Sequence, residues 1–249
     1  MLRFRSLASG SSGNATLLEA RSGTEAPTRV LIDCGLGVRQ LSQRLAQAGL
    51  GVEDIDALFS THEHGDDVGC AIALSARHRI PLWTSEGTWQ AVADTRHEAR
   101  ICVTADGQSV AIGALQISPF TVPHDAREPL QLHCTDGART LGILTDLGHV
   151  TPHALACLAG CHALLLESNH DPEMLAQSSY PDFLKRRVGG ALGHLSNAQA
   201  SAALRTLRHA QLSTVVAAHL SERNNRIPLV QDGFAQALGC AAAGVQVST

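Results

Sequence analysis

The chain has 249 residues, 44% of them hydrophobic, enough for one large or two small domains around a real core. Its formal net charge is −4, so no global basic field marks a nucleic-acid binder; such a contact has to come from a local patch or from metal ions. No apolar run is long enough to span a bilayer, residues 1–5 lack the apolar stretch of a signal peptide, and the seven cysteines form no CxxC pair, so a cytoplasmic protein is expected, without a membrane partner.

Residues 2–8 read as a first strand and 15–20 as a returning strand, joined by Ser9-Gly10-Ser11-Ser12-Gly13-Asn14. Such a turn can present backbone N–H groups to an anion, which makes Ser9, Ser11 and Asn14 candidate phosphate-binding residues. A plain hairpin loop accounts for the same residues equally well. Residues 30–35 read as a buried strand ending in Asp33-Cys34-Gly35. Val38, Leu41, Leu45 and Ala48 then recur at helical spacing, and Gly49 and Gly51 end that helix.

The next strand, 56–60, runs into Thr61-His62-Glu63-His64-Gly65-Asp66-Asp67-Val68, and a helix is expected over 68–79. In an extended segment alternate side chains share a face, so His62, His64 and Asp66 would converge, with Asp67 opening the helix. The place is the C-terminal end of a strand, where open α/β sheets put their ligands. A polar turn capped by Asp66 is the plainer reading. Four potential ligands within residues 62–67 favour a metal, because neutral imidazole and carboxylate are what Zn, Mn and Fe accept.

Further strands are expected at 81–84, 101–103, 110–112, 115–120, 130–134, 140–144, 163–166, 215–218 and 245–247. Helices are expected at 87–95, 152–159, 198–209 and 228–238, with a more polar helical region up to Arg187. Leu144-Thr145-Asp146-Leu147-Gly148 resembles the stretch 31–35, an apolar strand ending in Asp-x-Gly. The likeness suggests two related α/β halves, and no low-complexity linker separates them, so residues 1–249 read as one domain. His62, His124, His194 and His219 each follow a strand end or open a helix, where residues from separate strands can meet.

The candidates are His62, His64, Asp66, Asp67, His124, Asp146 and His219. Two divalent ions, Zn²⁺ or Mn²⁺, can share them: His62, His64 and His124 at one site, Asp66, Asp67 and His219 at the other, with Asp146 bridging. Two ions roughly 3.5–4 Å apart generate a metal-bound hydroxide at neutral pH and clamp the oxygens of an in-line displacement. That chemistry suits hydrolysis of a phosphodiester, an ester or an amide.

The order His-x-His-x-Asp, then a strand-end His, a strand-end Asp and a late strand-end His resembles the metallo-β-lactamase superfamily. Within it the chain is similar to the YycJ/WalJ branch, through Ser9 to Asn14, Thr61 to Val68, Pro123-His124-Asp125-Ala126, His194-Leu195-Ser196-Asn197 and His219-Leu220-Ser221-Glu222-Arg223-Asn224-Asn225. The resemblance implies an α/β fold, a four-layer αββα sandwich with a binuclear site at one edge. It implies nucleic-acid phosphodiester hydrolysis of the 5′→3′ exonuclease kind. It also gives His194 the role of protonating the leaving oxygen, as in related tRNA 3′-processing nucleases; a capping or supporting His is the alternative. Asp66 and His194 are thus the expected catalytic pair, and Asp33 is read as orienting a ligand His.

One position departs from the family, which usually has His-x-His-x-Asp-His; here the last residue is Asp67. An oxygen-richer second site leans towards Mn²⁺ or Mg²⁺, or is only partly filled. His149, Glu167 and His170 are placed near the site, and His78, His97, His153, His162 and His209 at the surface or in packing. Lys185, Arg186 and Arg187, with Tyr180 and Phe183, form a basic and aromatic patch for nucleic acid, to which Arg205, Arg208, Arg223 and Arg226 can add; a solvated helix face competes with that reading. The alternatives in function are a tRNA 3′-processing-like nuclease, a small phosphodiesterase, a thioesterase, or a metal-binding scaffold impaired by Asp67. The sequence does not fix the oligomeric state.

Overall fold

A computed structural model describes residues 1–92 and 98–248. They form two compact units, Met1–Thr121 with Ala126–Arg139, and Val122–Asp125 with Thr140–Thr249.

In the first unit, β1 (Leu2–Ala8), β2 (Ala15–Ala20), β3 (Thr28–Ile32), β4 (Ala57–Phe59), β5 (Pro81–Thr84) and β6 (Arg100–Val103) pair in that order. The first two pairings are antiparallel and the rest parallel. The sequence shows why: a tight Ser/Gly/Asn turn joins β1 to β2, whereas β3 to β4 and β4 to β5 have helices between them, as parallel crossovers require. The central strand β4 is buried throughout, as a strand covered on both faces must be.

Helix α1 (Val38–Gln47) buries Leu41 and Leu45 against Leu31, Leu58, Leu74 and Leu82. Each such leucine contributes roughly 1.5–3 kcal/mol of apolar burial. Then come α2 (Gly65–Val68), α3 (Ala71–His78) and α4 (Glu86–Val92). The antiparallel ladders of β7 (Val110–Ile112), β8 (Leu115–Thr121) and β9 (Leu130–Thr135) complete this unit.

The second unit carries β10 (Thr140–Leu144), β11 (Ala163–Glu167), β12 (Thr214–Ala218) and β13 (Gln246–Val247), all parallel, in the order β13-β12-β11-β10. Its helices are α5 (Pro152–Leu158), α6 (Pro172–Gln177), α7 (Asp182–Val188), α8 (Asn197–Leu207) and α9 (Ile227–Leu238). Side-chain caps fix the starts of α5, α6 and α8. Thr151 accepts from the Ala154 N–H, Asp171 from those of Glu173 and Met174, and Ser196 forms a reciprocal capping box with Gln199.

The expected strands and helices are present, with ends moved by one to three residues at most. The histidine-rich motif is the exception. It is not extended through Asp66: Gly65–Val68 is a helical turn with His64 at its N-cap, and Gly69 at φ 34° breaks it from α3. A Cβ at position 69 would lie 2.1 Å from the Cys34 oxygen, so only glycine lets the chain pass that strand end. The expected helix over 87–95 is α4 as far as Val92, and its remainder lies outside the described residues, as does His97. No helix among the described residues is long and apolar enough to cross a membrane, and none of the seven cysteines is in a disulfide.

Candidate metal centre

Four non-glycine residues among those described have positive φ: Asp33 (57°), Arg79 (59°), Asp146 (56°) and His219 (54°). Arg79 ends α3. The other three stand just beyond the C-terminal ends of β3, β10 and β12, and all three were candidate site residues. A left-handed L-residue costs about 1–2 kcal/mol, so its surroundings must hold it there. The Asp33 N–H donates to the Phe59 carbonyl (2.8 Å), the Asp146 N–H to Glu167 Oε1 (3.2 Å), and the His219 carbonyl accepts from Asn169 Nδ2 (3.0 Å).

In the first unit the donors are His62, His64, Asp66 and Asp67. One ligand atom each from His64, Asp66 and Asp67 lies within 4.8 Å of the others. His62 Nε2 is 3.0 Å from His64 Nδ1 and 3.2 Å from Asp67 Oδ2. Both His62 and Asp67 have fully buried side chains. Asp33 is bonded to the residue before His62. It accepts from the Thr61 N–H (2.9 Å) and hydroxyl, and the Thr61 hydroxyl is 3.0 Å from His62 Nδ1. Thr61 thus links the Asp33 carboxylate to the His62 ring.

The Ser9–Asn14 turn also serves this group. Asn14 is buried, and both ends of its amide are engaged: Oδ1 accepts the Gly10 N–H (3.0 Å) and Nδ2 donates to Asp67 Oδ1 (2.9 Å). Because Gly10 supplies a donor and Asp67 an acceptor, the amide has one orientation. The Asn14 side chain thus faces Asp67, whereas Ser11 is exposed at the tip of the turn.

In the second unit the centre is Glu167, the last residue of β11. Its Oε1 accepts from His194 Nδ1 and His219 Nδ1, both at 2.9 Å, and its Oε2 from the N–H groups of Leu195 (2.8 Å) and Leu147 (3.3 Å). Burial alone would raise the Glu167 pKa; the His194 and His219 imidazoles overcome that and hold the carboxyl well below its usual range. For His194 burial works against the charged ring, but the Glu167 carboxylate raises its pKa above the ordinary value. Asp146 Oδ1 lies 3.0 Å from His219 Nδ1, and ligand atoms of Asp146, Glu167, His194 and His219 fall within 4.8 Å of one another. His124 joins this set, its ring 5.3 Å from that of His194, and its Nδ1 bonds the Gly193 carbonyl (3.1 Å). Burial keeps its pKa below the usual value, which favours the neutral ring that a metal needs.

A buried amide network supports these strand ends. Asn197 and Asn225 exchange side-chain bonds at 2.9 Å, and Asn225 Nδ2 also meets the Ser168 and Asn169 carbonyls. The asparagines of the two His-Leu-Ser motifs therefore knit the loops that present His194 and His219. His149 bonds the Ala191 carbonyl, and His170 is buried close to Glu167 and His194. Arg205 and Arg208 line a cavity of about 590 Å³ with Thr214, at the start of β12 and so at the opposite strand end from His219.

The sequence reading named every donor in both sets and missed the weight of Glu167, Asn14 and Thr61. Glu167 carried a signal, an acid ending an apolar strand in the manner of Asp146. Asn14 carried none, since its partner is 53 residues away. With imidazole and carboxylate donors converging in each unit, the chemistry of both sets fits a divalent ion.

A family model described as a Beta-lactamase superfamily domain matches residues 28–220. The chain is 31% identical to the exodeoxyribonuclease YycJ of Bacillus anthracis, over 95% of this chain and 89% of that one. It is 32% identical to the exodeoxyribonuclease WalJ of Streptococcus pneumoniae, over 98% and 91%. Among solved structures, the metallo-β-lactamase fold protein YhfI from Bacillus subtilis superposes with a TM-score of 0.74 at 15% identity, covering 100% of this chain and 97% of that one. That likeness bears out the αββα fold class expected from the sequence. The match over 28–220 and the near-full-length identity show that the chain belongs to the metallo-β-lactamase superfamily of metal-dependent hydrolases.

Proposed function

We propose that the chain is a cytoplasmic nuclease that hydrolyses nucleic-acid phosphodiesters as a 5′→3′ exonuclease, with residues 1–249 acting as one domain. The observation that carries this reading is the identity of 31–32%, over 95% or more of the chain, to proteins named exodeoxyribonucleases. On this reading His62, His64 and His124 would hold one divalent ion, Asp66, Asp67 and His219 would hold the second, and Asp146 would serve both. When bound, the ions would supply water activation and charge neutralisation on the phosphoryl oxygens.

The chain's own residues do the rest. Glu167 takes Nδ1 of His219, which leaves the opposite ring nitrogen to ligate. It also takes Nδ1 of His194, so that the raised pKa keeps a proton on that imidazole for the leaving oxygen. Asp66 is assigned with His194 to the catalytic pair. Asp67, held by Asn14, brings an oxygen donor where the family usually has a histidine, so manganese is the preferred occupant of the second site. Ser9, Ser11 and Asn14 remain candidates for a terminal phosphate.

The test is incubation of purified protein with Mn²⁺ and 5′-phosphorylated single-stranded DNA, beside a His64→Ala control. Cleavage that disappears in the control supports the nuclease. Activity confined to bis(p-nitrophenyl) phosphate or thioesters points to another hydrolase of the superfamily, and inactivity with every metal points to a scaffold, the reading that the Asp67 departure favours.

A further inference from the structure

Helix α7 buries none of its residues, yet it carries Phe183 at 66% exposure, and the turn after it carries Leu192 at 52%. A phenyl left largely in water forgoes the stabilisation of apolar burial. Residues 180–193 hold Lys185, Arg186 and Arg187 against Asp182, a net of +2 in a chain of −4. Phe183 and Arg186 are three apart on the helix and so share a face. Arg186 makes no ion pair among the described residues.

This arm is fastened to the candidate site. Arg187 pairs with the Asp125 carboxylate, and the Asp125 N–H donates to the Leu192 carbonyl (3.0 Å). The next carbonyl, Gly193, receives His124 Nδ1, and the His194 N–H returns to the Val188 carbonyl (2.8 Å). The turn is close-packed, since a Cβ on Gly193 would sit 2.1 Å from the Arg187 carbonyl oxygen. An exposed phenyl and a guanidinium are therefore held by short chains of bonds from two site imidazoles.

We infer that residues 180–193 form the docking surface for a single-stranded nucleic acid, with a base stacked on Phe183 and a backbone phosphate met by Arg186. The inference rests on the nuclease reading above and adds where the strand lies. A flat phenyl flanked by cations suits a polyanion with π faces, and base–aromatic stacking tolerates any sequence. A second copy of this chain would cover the apolar groups but leave the arginines facing their own kind.

The experiment uses the full chain with Mn²⁺, fluorescence anisotropy, and a 3′-labelled, 5′-phosphorylated phosphorothioate strand. Phe183→Ala is expected to weaken binding about tenfold, with Phe183→Trp restoring it, and Arg186→Ala to weaken it and flatten the salt dependence. Metal content and Tm should stay at the wild-type values, because both side chains are exposed. If wild type cuts the same strand made with ordinary phosphates and binds the phosphorothioate one, and all three variants bind equally well, the arm has no such role and the nuclease reading stands. If wild type neither cuts nor binds any strand, the nuclease reading falls and the docking surface with it. A dimer in light scattering that Phe183→Ala splits, with strand affinity unchanged, also overturns the inference.

Discussion

Glu167→Gln is the substitution that most directly tests the centre of the second unit. Glu167 is fully buried and accepts from five donors: His194 Nδ1, His219 Nδ1, and the N–H groups of Asp146, Leu147 and Leu195. Glutamine keeps one acceptor oxygen and turns the other into a donor. With its oxygen towards Leu147 and Leu195, its NH₂ faces the imidazoles. Each ring can then accept only by moving its own proton to Nε2, the nitrogen a metal would need. With its oxygen towards the imidazoles, two backbone N–H groups are stranded. In the first case three donors lose an acceptor, the Asp146 N–H among them, and in the second two, at ~1–1.5 kcal/mol each, for a loss of roughly 2–4 kcal/mol. For a chain of this size that lowers Tm by about 5–10 °C. The affinity of the histidine-bound ion should fall about 10–100-fold. Thermal melts with and without chelator, and metal analysis after dialysis, read the two effects separately. A Tm within about 1 °C of wild type together with unchanged metal content would refute the argument that Glu167 organises this unit.

Asn14→Ala removes the Gly10 and Asp67 bonds at once and should cost about 1–3 kcal/mol in urea unfolding, with loss of metal from the first unit's donors. Gly35→Ala places a Cβ 1.6 Å from the Asp66 carbonyl oxygen, so a loss of about 3 kcal/mol or more, or insoluble protein, is expected on expression. In chelated protein Glu167 is held below its usual pKa and His194 above its own. The Glu167 contribution is present above the unfolded value of about 4.3 and is lost in acid. The His194 contribution is complete below about 6.5 and is lost as pH rises through the raised value. A Tm-against-pH curve should therefore peak between those limits, and Glu167→Gln should flatten its alkaline side. Asp67→His supplies the residue usual in the family, and should raise the zinc bound per chain after growth in zinc.

Much of the architecture was readable because it is written locally. Most parallel strands are short apolar runs, and candidate ligands lie in the polar stretches just beyond β4, β10 and β12. The conformation of the motif was not readable. Alternation of His62, His64 and Asp66 argued for an extended chain, but Gly65 and the His64 N-cap start a helical turn instead, and Gly69 ends it only because the Cys34 strand end passes 2.1 Å from where a Cβ would be. That is tertiary steric information with no trace in a window of eight residues. The same holds for the Asn14–Asp67 bond, whose partners are joined only after β1, β2 and the helical turn are in place.

Asp33 and Asp146 show how far a repeated local pattern carries. Both end an apolar strand, both precede x-Gly, and both are left-handed at φ 57° and 56°. The shared sequence thus encodes a shared backbone: the strand stops, and one carboxylate is turned out at its end. What the carboxylate does is set by the neighbour that arrives. Asp33 meets the Thr61 hydroxyl and N–H, and the same hydroxyl meets His62 Nδ1. Asp146 meets His219 at 3.0 Å, with its own N–H drawn to Glu167, an arrangement that places it among titratable groups. Two carboxylates delivered by the same local device therefore differ in chemistry, because one is met by a threonine hydroxyl and N–H whereas the other stands among imidazoles and a second carboxylate, a donor set whose chemistry fits a cation.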